Sequence, residues 1–151
     1  MFEQKIKRII SQLDDVIKRA KDDATQQIFV NSLNRIFDKG QDKYENQIGK
    51  YNPNFELNGK NYIELRKSKG LQTQFVDLTF TTSLNKSIVA DNEKIFFRNT
   101  YGQTIAKANE KNFNKRIFAP SRTDKKIFFE FLNDEMIKLW IFSLMDFEKI
   151  S

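Results

Sequence analysis

At 151 residues, 39% hydrophobic and 30% charged, the chain is long enough for one domain with a real core and ordinary in composition for a globular protein. It holds neither cysteine nor histidine, which excludes disulfides and thiolate chemistry and removes the commonest general base, transition-metal ligand and pH switch. A net charge of +6 points to nucleic acid or an acidic partner, and its distribution says more than its total. Residues 1–47 carry nine basic and eight acidic side chains, whereas residues 105–126 carry seven basic against two acidic, a net +5. Fifteen phenylalanines predict an aromatic-rich core.

In chain order, Phe2, Ile6, Ile9, Ile10, Leu13, Val16, Ile17 and Ala20 recur at helical spacing with charges between them. The pattern falters at Asp22-Asp23 and resumes through Ala24, Ile28, Phe29, Leu33, Ile36 and Phe37. It predicts either one bent helix or a second helix capped by Asp23, with Gly40 as the stop. Residues 40–61 hold Gly40, Gly49, Pro53 and Gly59 and read as a long loop, with turns at Asn52-Pro53 and Asn58-Gly59. Residues 62–66 predict a short helix or strand, ended by Gly70.

A β region follows: a strand over 75–81, another from 88, a turn at Asp91-Asn92 and a third strand over 94–98. Residues 104–108 are a brief helix or strand, 109–116 an exposed basic loop, and "RIFAP" (116–120) an edge strand closed by Pro120. Ser121 or Thr123 caps a final helix through Ile127, Phe128, Phe131, Leu132, Met136, Leu139 and Trp140. Its last turns, Trp140 to Phe147, leave almost no polar side and must be buried in the core or against another subunit. No apolar run approaches the roughly 20 residues that span a bilayer, and "MFEQKIKRII" lacks the uncharged core of a signal peptide. The expectation is therefore an intracellular product, or one assembled inside a cell, with no membrane role.

Three places invite chemistry. Asp14-Asp15 and Asp22-Asp23 have the residue type for a divalent cation, but interleaved Lys18, Arg19 and Lys21 make a solvated helix face the better reading. Thr81, Thr82 and Ser83 have no histidine base and no glycine-rich elbow, so a polar turn is favoured over a nucleophile. The basic 107–126 stretch, with Phe113 and Phe118 to stack on bases, is an alternative nucleic-acid surface, although no RNP, helix-turn-helix or zinc-finger pattern accompanies it. No P-loop or G-x-G-x-x-G occurs. The expectation is no catalytic residue, no metal and no cofactor.

"FVDLTFTTSLNKSI" (75–88) resembles the leucine–threonine–glycine–x–leucine–x–x–serine–isoleucine signature of bacteriophage virion-morphogenesis proteins, also described as neck or tail-completion proteins. "NSLNRIFDKGQDKYENQIGKYNP" (31–53) and "IAKANEKNFNKRIFAPSRTDKKIFFEFLNDEMIKL" (105–139) resemble the blocks on either side, so the likeness covers roughly residues 24–140. The signature falls on Leu78, Thr79, Thr81, Leu84, Ser87 and Ile88, then Ala108, Asn109, Arg116, Phe118 and Ser121. Thr82 stands where the family has glycine, and "FAPS" replaces a glycine-containing corner.

The resemblance implies a small structural subunit of a virion, assembled in a host cytoplasm. It forms a homo-oligomeric ring in the neck or tail and docks on portal or adaptor and tail proteins, with incidental contact to DNA left open. In it Thr81 or Thr82 caps the turn, Leu84 and Ile88 plug the core, and Ser87 tucks against the backbone. Ile48, Tyr51 and Phe55 on one loop and Lys107, Lys111, Phe113, Lys115 and Arg116 on another are the implied docking residues. Trp140, Phe142, Leu144 and Phe147 are the implied subunit-packing residues.

The whole predicts one α+β domain: a helical segment over 1–39, a long loop over 40–61 and a core over 62–151. In it a long helix or helix pair precedes a small, mostly antiparallel sheet, on which the last helix packs.

Overall fold

The computed structural model describes residues 2–148, apart from the side chains of Phe2, Lys5, Trp140 and residues 142–148. Helix α1 (Phe2–Leu33) runs without a break through Asp22-Asp23 and passes into a π-helical turn, Asn34–Asp38. The two acids do not end it because the buried side of the helix is continuous around them: Ala20 and Ala24 are buried and admit a neighbour closely. The π turn has a purpose visible in its burial. Three consecutive residues, Arg35, Ile36 and Phe37, all point inward, which a regular α turn does not allow because it spreads neighbours around the axis. Gly40 stops the helix at φ +61, and a Cβ there would meet the Val76 carbonyl oxygen at 2.3 Å.

The last helix, α5 (Arg122–Glu148), packs on α1 and not on the sheet. Asn31 and Ser32 near the end of α1 donate to Asp124 in the first turn of α5, so the two helices run antiparallel from a shared base. The sheet expected to receive α5 is too small to do so. It is two separate hairpins, β1 (Glu56–Leu57) with β2 (Lys60–Asn61), and β3 (Ile88–Asp91) with β4 (Lys94–Phe97). The apolar stripe of α1 receives α5 instead. Asn58 and Gly59 both take positive φ in the first turn, as a tight hairpin requires, and Asn92 does so in the second.

Helix α2 (Tyr62–Ser68) is capped by the Asn61 side chain, which accepts from the Ile63 and Glu64 amides, and it ends before Gly70 at φ +68. The strand expected over 75–81 does not form. Its amides go elsewhere: Val76 N–H to the Gly49 carbonyl, Asp77 N–H to the Tyr51 hydroxyl and Thr79 N–H to the Asp77 carboxylate. An aspartate inside a run of β-formers offers the backbone a competing acceptor, and here it wins over a ladder.

The basic loop expected over 109–116 is largely helix. After the short α3 (Ser83–Ser87), α4 spans Thr100–Phe113, capped by Asn99 and stopped by Asn114 at φ +51. The edge strand expected over 116–120 does not form: Phe118 and Ala119 lie in a bend, and the Ile117 and Phe118 amides both donate to the Glu110 carboxylate. The core gathers Ile36, Phe37, Ile48, Val76, Leu84, Ala106 and Ile117, ringed by Leu78, Ile88, Phe97, Phe113 and Phe118 among others. Among the described residues no helix is long and apolar enough to cross a membrane.

Gly102, in the first turn of α4, faces Ser87 with no room to spare. A Cβ there would lie 2.3 Å from Ser87 Oγ and 2.7 Å from its Cβ. Gly102→Ala is expected to lower the free energy of unfolding in urea by about 1–3 kcal/mol, the usual cost of overpacking, and Ser87→Gly in the same chain is expected to restore part of it.

Candidate functional site

Asp77 is the most heavily bonded side chain in the molecule's irregular half. Its Oδ1 accepts from Arg66 Nη2 at 2.9 Å, the Tyr51 hydroxyl at 2.9 Å, and the Thr79 amide and hydroxyl at 3.1 and 2.8 Å. Its Oδ2 accepts from Arg66 Nη2 at 2.9 Å and Gln72 Nε2 at 2.6 Å. Arg66 is wholly buried, donates through Nε to the Gln72 carbonyl, and carries its guanidinium carbon 4.4 Å from the centre of the Tyr51 ring. Arg66 Nη1 has no acceptor, so the ring face is its compensation. Tyr62 extends the aromatic layer to Tyr51, Phe55 and Phe80, with ring centres 5.1–5.5 Å apart.

This cluster joins three parts of the chain that share no ladder: the 40–61 loop through Tyr51, α2 through Arg66, and the 72–79 segment. It is built to hold shape. Burial pushes Asp77 up, but the bonds from Gln72, Thr79 and Tyr51 outweigh burial and hold the carboxyl below its ordinary range. A carboxylate so placed has no lone pair for a substrate proton. Burial, with the neighbouring Asp77 charge adding to it, pushes the Tyr51 phenol far above its ordinary value.

A second buried cluster sits where α1 meets α5. Arg35 donates to the carbonyls of Ile117, Ala119 and Gln41 at 3.1–3.2 Å and lies 4.0 Å from Asp124. Asp124 also accepts from the Ser121 amide at 2.7 Å while its own amide donates to Ser121 Oγ at 3.1 Å, a reciprocal cap at the start of α5. Burial pulls the Arg35 guanidinium below its ordinary value, with Asp124, Asp42 and Glu45 pulling the other way. Glu45, at φ +64 on the 40–61 loop, accepts from the Thr123 amide, and the bonds from Thr123 hold its carboxyl below the ordinary range.

The residues singled out in the sequence divide clearly. Leu84 and Ser87 are buried, Leu78 and Ile88 pack on the core, and Ser87 Oγ donates back to the Leu84 carbonyl. Thr79 belongs to the Asp77 cluster. Neither Thr81 nor Thr82 caps α3 with its side chain, contrary to expectation. Thr81 bonds to the Ser83 hydroxyl, and Thr82 takes φ +56, a left-handed conformation, and makes no side-chain cap hydrogen bond. Phe118 packs edge-on against Phe97, and Arg116 is exposed.

Of the docking residues, Ile48 is in the core, Phe113 packs against it and Tyr51 is in the Asp77 cluster, so these three build the fold. Lys115 is tied to the Gln47 carbonyl and to Asp42. Phe55, Lys107, Lys111 and Arg116 are exposed. Trp140, Phe142, Leu144 and Phe147 lie on α5, but their side chains are outside the described residues. Asp14, Asp15 and Asp23 are exposed, and among the described residues no three acidic side chains gather as a metal site would need.

Arg66, Gln72, Asp77, Arg35 and Asp124 escaped the sequence reading. A faint signal existed for two of them: Asp77 interrupts a β-forming run, and Asp124 follows Ser121 at the spacing of a capping box.

Asp77→Asn strands the Arg66 charge and is expected to cost about 3–5 kcal/mol, the range for breaking one side of a buried pair. Asp77 holds its proton less tightly folded than unfolded. Its contribution is therefore complete above about pH 4 and is lost as pH falls through the folded value. Tyr51 has the opposite sign: its contribution is complete below about pH 10 and is lost as pH rises beyond it. Urea titrations across pH are expected to show Asp77→Asn flattening the acid limb and Tyr51→Phe flattening the alkaline limb. No family model, curated protein or solved structure matches the chain.

Proposed function

We propose that the chain is a structural subunit of a phage virion, part of the head–tail connector or neck or completing the tail, and that it works by assembling into a ring and docking on neighbouring virion proteins. The observation that carries this reading is Thr82 at φ +56. In the resemblance this position is glycine, the residue that adopts a left-handed backbone without strain. Thr82 departs in identity yet takes the conformation a glycine there would serve. Several other signature positions are spent on packing, Leu78, Leu84 and Ile88 in or on the core and Ser87 on its own backbone, while Thr81 and Arg116 are exposed.

The docking surface is narrower than the loops as a whole. Phe55 on one side and Lys107, Lys111 and Arg116 on the other are exposed. Lys107 and Lys111 stand one turn apart on α4, a rigid mount for a charged contact. The same pair supports the second reading, a nucleic-acid surface, and the two readings part in one experiment.

Purified protein is expected to form a closed ring by light scattering and negative-stain microscopy, alone or on a portal or adaptor, and to show no retention of duplex or single-stranded DNA at 150 mM salt. Tight DNA binding that falls steeply with salt and disappears in a Lys107→Glu, Lys111→Glu, Arg116→Glu chain would overturn the connector reading in favour of the nucleic-acid one. Lys115 is left out of that variant because its ammonium group is part of the fold.

A further inference from the structure

We propose that the outer edge of β4 accepts an extended, acid-bearing segment of a partner protein as a third strand. The register of the β3–β4 hairpin decides which main-chain groups are already used. Arg98 N–H donates to the Ser87 carbonyl at one end, and Asp91 faces Lys94 across the turn at the other. Bonded positions alternate along an antiparallel pair, so Val89 with Phe96 is the bonded pair between those ends. Ile95 and Phe97 therefore turn their amides and carbonyls outward. Among the described residues, none bonds to those four groups. The edge is also held in place. Phe97 packs against the core, and Lys21 of α1 bonds to Glu93 in the turn. A strand that is already fixed loses little freedom when another joins it, and a two-stranded hairpin gains by becoming three-stranded.

The side chains of the same strand describe the occupant. Lys94, Phe96 and Arg98 alternate along one face of β4 and are all exposed, Phe96 at 44%. Neither cation forms a salt bridge among the described residues. Glu93 is committed to Lys21, and Asp91 lies across on β3, away from the open edge.

Charge excludes a second copy of this chain. An antiparallel β4 centred on Phe96 would set Lys94 opposite Arg98 at both ends, and like charges directly opposite are destabilising. A strand with a carboxylate opposite each cation and an apolar residue opposite Phe96 reverses the sign at both ends. The occupant is therefore a strand in which acidic and apolar residues alternate. Main-chain bonds supply the hold, and the two cations with the aromatic between them supply the choice. The inference does not depend on the virion reading.

The test uses the whole chain and a blocked peptide reading Thr-Glu-Val-Ile-Val-Glu-Thr, followed by amide hydrogen exchange. In the free chain the Phe96 amide is expected to exchange slowly and those of Ile95 and Phe97 fast. The peptide at saturation is expected to slow Ile95 and Phe97 at least tenfold. A Lys94→Glu, Arg98→Glu chain is expected to bind that peptide at least tenfold more weakly. It is expected to bind instead the peptide with lysines in place of the glutamates, an exchange that loss of fold could not produce. Both side chains face water, so thermal unfolding of the variant is expected to be unchanged.

No saturable binding up to about 1 mM, the level of weak recognition, would overturn the proposal. So would binding that leaves Ile95 and Phe97 exchanging fast, or a free monomer in which both are already slow. Dimerisation of the free chain that protects the two amides would overturn it and make the edge an interface between copies. Tighter binding of single-stranded oligothymidylate through Lys94, Phe96 and Arg98, with no protection of those amides, would replace it with a base-stacking surface.

Discussion

Arg66 and Asp77 keep each other out of water, and the chain from Gly49 to Thr82 is arranged around them. Neither charge is tolerable there alone. Paired through both carboxylate oxygens, with Tyr51, Gln72 and Thr79 completing the shell, they form a joint that substitutes for the ladder this region lacks. The consequence is that a segment of β-forming residues runs as irregular backbone, and that a loop with the composition of a flexible arm is pinned at Tyr51. Phe55 is then held out on the rim of an aromatic layer.

The Arg35 and Asp124 cluster does the corresponding work for the helices. Three carbonyls from residues 41, 117 and 119 converge on one guanidinium, and Asp124 ties the first turn of α5 to Asn31 and Ser32 of α1. The π turn at Asn34–Asp38 makes this possible by directing Arg35 inward beside Ile36 and Phe37. The two clusters together explain how a chain whose described residues form only two small hairpins keeps a defined core. Its order comes from buried polar joints at the ends of elements more than from sheet.

Much of this was legible in advance. The α1 helix, the stop at Gly40, the turns at Asn58-Gly59 and Asp91-Asn92 and the cap at Ser121 are local matters of periodicity or turn chemistry, and they hold; the positions of Leu84 in the core and Ile88 against it agree with what the resemblance implied. The α+β class follows from their order. The misses share a cause. The strand over 75–81 failed because Asp77 has a partner eleven residues upstream. The basic loop over 109–116 failed because Asn99 and Asn114 cap a helix whose polar residues are only its wet side. Ile48, Tyr51, Phe113 and Lys115 looked like docking residues because a loop's composition does not show which side chains fold back.

The sequence by itself determined the run of α1 to its stop at Gly40, the cap at Ser121 that starts α5 and which turns are tight, since each depends on residues within a turn or two of one another. The aromatic-rich core it predicted did not follow: among the described residues the buried core cluster is aliphatic apart from Phe37, with Phe97, Phe113 and Phe118 packed on its edge. Tertiary structure alone decided that α5 packs on α1 and that Asp77 breaks a strand. Those outcomes depend on which charges and apolar faces meet across the fold, on pairings 11, 82 and 93 residues apart, and a buried charge is placed by its partner and not by its neighbours in the chain.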